Sequence, residues 1–464
     1  MTRRAGWRLL CVGLAIGCRR GEPPSARPAS AVFVTVDTLR ADHLGFAGYP
    51  RDTSPHLDAL AREGTAFPGA YSVSATTGAS HASLFTSLYP HEHGVVANRQ
   101  RFPRGLATLM RALRGRGYRT AGFVSSVVVG RKMGLQDEFD HFDDQGTTAE
   151  LNRPQRPERP AAATLEAAAA HLAGLPADMP FFLWAHLIDP HGPYAAPEEP
   201  DRFVGDAHAS PRPLLLPIGS ADWVMGRIPA YQVLGDRREA DFYVARYDAE
   251  IRYADEALGR FFARLRQIGR WDDTLVVVTA DHGETLAEPG HKRYFAHGTI
   301  TYDEVVRIPL VVREPHGERR LRAAPADQAV TSLDVAPTVL DLLGQPPEPA
   351  FRGRSLLRGA RPAAPVFSFG AYGTELLEKT IGTQFSVLEG PWRYVVNSQD
   401  GSEELYDHRD DAAESRNVAV QQPARRAALR AALAGLRSES RREAQAVEMT
   451  AEHHQALRAL GYVQ

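Results

Sequence analysis

Val32, Phe33, Val34, Thr35 and Val36 form an uncharged, largely β-branched run that ends abruptly in Asp37, Thr38, Leu39, Arg40, Ala41 and Asp42. Such a run, closed by an acid, predicts a strand buried on both faces that delivers a carboxylate at its carboxyl end. Similar apolar runs recur at 181–185, 275–279 and 308–312, with helical patterns between them. Strands alternating with helices predict an α/β fold with a doubly wound, mostly parallel sheet flanked by helices. Ile251, Ala254, Leu258, Phe261, Phe262 and Leu265 fall at helical spacing within 248–265, the stripe of an amphipathic helix packed on that sheet. A second helix over 332–343 ends at the breaker Gly344 and a proline-rich stretch. Beyond it, candidate strands near Phe367 and Tyr394 and a helix bearing Leu429, Leu433 and Leu436 predict a small C-terminal α+β subdomain. The expected division is a catalytic domain over 31–360 and a subdomain over 361–464.

The chain has 464 residues, enough for a large core, and a net charge of -2, which gives no electrostatic reason to expect a nucleic acid partner. Arg3, Arg4 and Arg8 precede a short apolar run at 9–16 that is too short to span a bilayer and reads as an export signal. Ala15, Ile16, Gly17 and Cys18 resemble a bacterial lipoprotein signal, in which the cysteine becomes the lipidated first residue. Segment 1–18 is then the signal, and 19–30, with Gly21, Pro23, Pro24, Ser25, Pro28 and Ser30, is a flexible tether. The chain has two cysteines; processing would remove Cys11 and leave Cys18 unable to form an internal disulfide. The protein is therefore expected to be exported and lipid-anchored in a bacterial cell envelope.

In open α/β sheets, ligands bind outside the carboxyl ends of the strands, which is where Asp37, Asp189, His191, Asp281 and His282 are expected. One acid after a strand is weak evidence, since acids cap helices routinely; five metal-competent residues at three strand ends are not. Carboxylate oxygens with imidazole nitrogens suit zinc or manganese, and the absence of usable cysteine excludes a thiolate site. His186, inside an apolar strand pattern, reads as a core histidine. The irregular segment 201–238, rich in proline, glycine and aromatics, is long enough to act as a cover.

The string Thr279, Ala280, Asp281, His282, Gly283, Glu284, Thr285 and Leu286, followed by His297 and Gly298, resembles the second sulfatase motif, and 34–42 resembles the first. Ser80, His81, Ala82, Ser83, Leu84, Phe85, Thr86, Ser87, Leu88, Tyr89 and Pro90 resemble the region that follows a sulfatase nucleophile. Pro190, His191, Gly192, Pro193 and Tyr194, the stretch 334–343, and Glu404 to Asp407 extend the likeness over most of the chain. The chain thus resembles the sulfatase family of the alkaline phosphatase superfamily. It departs from that family at the nucleophile. The frame puts Thr77 where a cysteine or serine matures to formylglycine, Ala79 at the usual proline and His81 at the usual arginine. Threonine cannot become formylglycine, and a threonine ester must be cleaved by a second attack at sulfur or phosphorus, which favours phosphoryl chemistry.

The resemblance to threonine-dependent members of the superfamily implies a metal shell of Asp37, Thr77, Asp281 and His282 around one divalent ion, zinc, manganese or calcium. It also implies His191 and His297 on the far side, stabilising the equatorial oxygens or protonating the leaving group, with Asp189 beside the substrate. A second metal held by Asp189, His191 and His297 is the alternative. His81 acts at the nucleophile loop or only hydrogen-bonds it. Ser125, in a stretch where sulfatases carry a sulfate-binding lysine, replaces that contact. The expected activity is hydrolysis of phosphate, phosphonate or sulfate esters, phosphoryl esters preferred, on a small-molecule, glycan or lipid substrate. Rival readings are a sulfuric ester hydrolase working without formylglycine, an envelope phosphotransferase, and a binding lipoprotein that has lost catalysis.

Overall fold

The uncharged run forms β1 (Ser30–Val36) at the centre of an eight-stranded sheet in a computed structural model. The structure describes residues 29–210, 214–220, 225–288, 290–291, 293–323, 329–359, 364–371, 382–439 and 442. The expected signal at 1–18 and the tether as far as residue 28 lie outside the described residues. Further strands are β2 (Thr65–Tyr71), β3 (Arg119–Val124), β4 (His141–Asp143), a small hairpin of β5 (Thr148–Ala149) and β6 (Pro157–Glu158), β7 (Phe181–Leu187), β8 (Thr274–Ala280), β9 (Arg307–Arg313) and β10 (Val330–Thr331). The large sheet runs β10-β2-β9-β8-β1-β7-β3-β4. Only β9 is reversed, pairing antiparallel with both β2 and β8. The fold is the expected mixed α/β architecture with a mostly parallel central sheet.

Every residue of β1, β7 and β8 is buried, as continuous apolar runs demand when helices cover both faces. One helical layer combines Pro55–Glu63, Ala161–Ala173 and Ala240–Gln267; another combines Thr77–Thr86, Leu109–Arg114 and Val335–Leu342. The helix expected over 248–265 begins earlier, at Ala240, because Phe242, Tyr243 and Tyr247 continue its buried stripe. No continuous apolar run marks β2 or β3: β2 contains Pro68 and Gly69, and its pairing with β9 shifts register between Phe67 and Ala70, a bulge.

A second, antiparallel sheet of β11 (Val366–Phe369), β12 (Gln384–Glu389), β13 (Trp392–Asn397) and β14 (Glu403–Asp407) packs under the helix Pro423–Arg437. Leu429, Leu433 and Leu436 of that helix share a core with Phe369, Phe385, Val387 and Leu405. This sheet buttresses the segment leading to Thr77: Ala75 N–H donates to Phe369 O at 3.0 Å, and Ser368 Oγ donates to Ser72 O at 2.7 Å.

Between the two sheets His291 is 5% exposed. Its Nδ1 donates to Glu304 Oε1 at 2.7 Å and its Nε2 to Glu414 O at 3.0 Å, so both nitrogens carry protons. Burial opposes that charge, but Glu304 outweighs it and raises the imidazole to about 9. A folded-state value above the ordinary 6.5 stabilises the protein fully below pH 6.5, and that contribution disappears as pH rises through 9. His291→Gln should flatten the loss of stability between pH 6 and 9.5 by on the order of 2–3 kcal/mol. Urea unfolding at the two pH values checks this; parallel curves for the two proteins would refute it.

Candidate active site

β8, β1 and β7 end together, since Val36 pairs with both Ala280 and Leu187, so Asp37 and Asp281 leave the sheet side by side. Thr38, just beyond, has φ of 58°, a left-handed conformation that a β-branched residue rarely adopts. It is held there by its N–H on Asp281 Oδ1 at 3.3 Å and by the Tyr247 hydroxyl donating to its carbonyl at 2.7 Å. Thr77 is the first residue of the helix Thr77–Thr86, the positive end of the helix dipole. Asn98 Oδ1 accepts from Gly78 N–H at 2.8 Å, and Ser80 Oγ donates to Asp281 O at 2.7 Å, pinning the helix to the end of β8.

These constraints bring Thr77 Oγ1 to 3.3 Å from His282 Nε2. His282 Nδ1 donates to Gly283 O at 2.9 Å, which leaves Nε2 with its lone pair facing the cluster. Asp281 Oδ2 lies 3.4 Å and Asp37 Oδ1 3.8 Å from that nitrogen. One donor atom each from Asp37, Asp281 and His282 lies within 4.8 Å of the others. Asp37 Oδ1 and Asp281 Oδ2 are buried without a hydrogen-bond partner, and burial raises the Asp37 carboxyl despite His282 and His297 nearby. Two converging, unpartnered carboxylate oxygens are costly unless a cation compensates them. Oxygen and imidazole donors at this spacing fit a divalent ion of the zinc, manganese or calcium type.

His297 stacks on His282 with ring centres 4.6 Å apart, and His191 meets His297 edge-on at 5.2 Å. His297 Nδ1 donates to Glu284 Oε1 at 3.1 Å; burial opposes its charge, but Glu284 outweighs burial and raises it. His191 donates from Nδ1 to Gly192 O at 2.7 Å and is held well below the ordinary range by burial and then by His297. An imidazole raised by Glu284 and another lowered by burial thus stand beside the carboxylates. Tyr231, from the irregular segment 201–238, stacks on His191 at 6.1 Å and donates its hydroxyl to Phe295 O at 3.1 Å. Tyr231 therefore packs against the site.

The remaining sequence candidates lie elsewhere in the hydrogen-bond network. His81 Nδ1 donates to Thr77 O at 2.8 Å, and its Nε2 accepts from Thr35 Oγ1 at 2.9 Å; Trp184 Nε1 in turn donates to Thr35 Oγ1. Burial lowers His81 to about 3, so it is a neutral strut beneath the helix. Ser125 Oγ pairs with Thr164 Oγ1 at 2.8 Å. Asp189 Oδ2 accepts from Ala161 N–H at 2.7 Å, and burial raises its carboxyl to about 6. The structure brings Asp37, Thr77, Asp281, His282, His191 and His297 together, and engages Ser125 and Asp189 at the start of the helix Ala161–Ala173 instead. Sequence reasoning gave no role to Glu284, although it stands inside the quoted motif, nor to Tyr247, Asn98 and Tyr231, which carry no local signal.

Gly283 explains part of that motif. A Cβ there would lie 2.2 Å from Glu304 O, while Gly283 N–H donates to Val305 O at 2.7 Å. Gly283→Ala must push two backbone segments apart next to His282. It is expected to lower stability by about 1–3 kcal/mol and to reduce metal retention. Thermal unfolding and metal content of the purified variant check this; wild-type values in both would refute it.

Comparison with known proteins agrees with this geometry. The family described as Sulfatase matches residues 30–345. The uncharacterized sulfatase YidJ of Escherichia coli strain K12 is 26% identical, over 83% of this chain and 82% of its own length. The multifunctional alkaline phosphatase superfamily protein PehA of Trinickia caryophylli is 28% identical, over 71% and 76%. Among solved structures, the phosphonate monoester hydrolase SpPMH of Silicibacter pomeroyi superposes with a TM-score of 0.64 at 25% identity, covering 88% of this chain and 94% of that one. With its donor cluster at the carboxyl edge of the sheet, the chain belongs to the sulfatase family of the alkaline phosphatase superfamily, and it is an ester hydrolase.

Proposed function

We propose that this protein hydrolyses phosphate, phosphonate or sulfate esters, phosphoryl esters in preference, through a covalent intermediate on Thr77. The observation that carries the reading is a threonine, which cannot form formylglycine, placed first on its helix with Oγ1 3.3 Å from His282 Nε2. Asp37, Thr77, Asp281 and His282 would hold one divalent ion. When bound, such an ion lowers the pKa of a coordinated hydroxyl and offsets charge developing on the ester oxygens.

Thr77 Oγ1 gives its proton to solvent, to be regained from solvent when the intermediate is hydrolysed, and attacks phosphorus; the Oγ1–P bond forms as the bond from phosphorus to the leaving oxygen breaks. His297, hydrogen-bonded to Glu284, which raises it against burial, donates the proton that the leaving oxygen needs, and His191 faces the equatorial oxygens. Water then attacks phosphorus, returns its proton to His297, and frees Thr77. His81 keeps the carbonyl of Thr77 fixed, and Tyr231 sets the ring plane of His191. Export and lipid anchoring at Cys18 belong to the same proposal, supported by the basic and apolar N-terminal stretch.

The test is hydrolysis of aryl phosphate, aryl phosphate diester, aryl phosphonate and aryl sulfate with zinc or manganese. Faster turnover of a phosphorus ester supports the reading. Turnover of sulfate alone returns the protein to sulfate chemistry without formylglycine, the second reading that its sulfatase relatives favour.

A further inference from the structure

His186 is the one ionisable residue in β7, whose other residues are apolar, and it is 0% exposed. Neither of its ring nitrogens has a hydrogen-bond partner among the described residues. Leaving buried polar atoms unsatisfied costs about 1–3 kcal/mol, so a leucine or phenylalanine would serve core packing better. Its place in the sheet supplies another reason for it. His186 pairs with Thr35 across β1, and side chains alternate along a strand, so Asp37, two residues beyond Thr35, lies on the same face. His186 Nε2 is 3.6 Å from Asp37 Oδ2, whereas Asp37 Oδ1 is the oxygen near His282. One carboxylate thus has one oxygen on the donor cluster and the other on His186.

His186 also groups with Asp281 and His81, within 4.8 Å. A separate cation there would need a nitrogen of His81, and both are engaged by Thr77 O and Thr35 Oγ1. The role left for His186 is that of a partner to Asp37. We propose that His186 is a positioning residue of the metal site: when a cation is bound, its Nε2–H closes the 3.6 Å gap to donate to Asp37 Oδ2 and presents Oδ1 to the cation beside Asp281 and His282. Partners of this kind fix the orientation of a ligand and raise its affinity without touching the ion. The inference rests on the metal reading given under Proposed function.

The test measures zinc and manganese affinity of the metal-free full chain by chelator competition, with thermal unfolding of the same samples, for the wild type, His186→Leu and His186→Gln. His186→Leu is expected to lose roughly 10- to 100-fold in affinity while the metal-free protein melts at or above the wild-type temperature. His186→Gln, whose amide reaches nearly as far as Nε2, is expected to keep most of the affinity. Affinity in His186→Leu within about twofold of wild type overturns the proposal, as does a parallel loss of affinity and metal-free stability in both variants, which marks a packing role. A wild-type protein that binds neither ion overturns the metal reading itself, and is thereby distinguished from failure at His186 alone.

Discussion

Thr77→Ala is expected to lower turnover of phosphorus esters by roughly four to six orders of magnitude while leaving the protein folded. The catalytic half follows from the geometry: no other hydroxyl is described at hydrogen-bond distance from His282 Nε2, and neither His191 nor His297 replaces an oxygen nucleophile in this arrangement. The folding half follows from what the hydroxyl does in the resting protein. It makes a 3.3 Å contact with His282, so its loss costs about 1 kcal/mol or less. The helix start does not depend on it, because Gly78 N–H is capped by Asn98 and Ser80 ties the first turn to Asp281 O. Thr77→Ser keeps the oxygen and is expected to stay within about 100-fold of wild type, the loss reflecting freer rotation without the methyl group. Acid-quenched wild type incubated with an aryl phosphate should show a phosphoryl adduct on the peptide containing Thr77, absent from Thr77→Ala. Full activity in Thr77→Ala would remove the covalent mechanism.

The strands most legible in the sequence are the central ones of the large sheet, buried on both faces. β1, β7 and β8 have no solvent side, so they appear as unbroken apolar runs, and their terminal acids follow from the rule that parallel sheets bind ligands at the carboxyl edge. β2 and β3 are not legible as strands, because a bulged Pro-Gly pair and an Arg-Thr-Ala-Gly sequence hide their periodicity. Asp37, Asp281 and His282 were legible because each follows a strand directly. Ser125 and Asp189 have the same local signature, yet their side chains turn to the helix Ala161–Ala173; spacing along the chain does not encode that direction. Glu284 illustrates a different limit. Its role exists only because 13 residues later the chain returns to bring His297 Nδ1 to its carboxylate. His186 reads as core from its apolar neighbours, and only the register between β1 and β7 places it against Asp37.

Arg393→Met is expected to cost about 3–5 kcal/mol, the largest stability loss predicted for a single side chain here. Arg393, on β13, is 1% exposed. Its Nη2 donates to Asp303 Oδ1 at 2.9 Å, its Nε contacts Glu414 Oε1 at 2.6 Å, and its guanidinium lies 5.3 Å from the Tyr71 ring centre. Glu414 is also buried and meets His408 Nε2 at 2.6 Å, so it stays partly compensated when the arginine is removed, while Asp303 loses its strongest cation. Methionine fills much of the arginine volume, and the cost therefore measures stranded charge more than a cavity. The effect should reach the active site by a short path. Asp303 begins the helix Asp303–Val306, where Val305 O accepts from Gly283 N–H and Glu304 O closes on the missing Cβ of Gly283, next to His282. Urea unfolding of Arg393→Met is expected to show the lost stability, and its metal retention to fall with it. The double variant Arg393→Met with Glu414→Gln should recover part of both, because it removes a carboxylate the arginine compensated. If Arg393→Met unfolds within about 0.5 kcal/mol of wild type, the C-terminal sheet is not an electrostatic support of the catalytic loop.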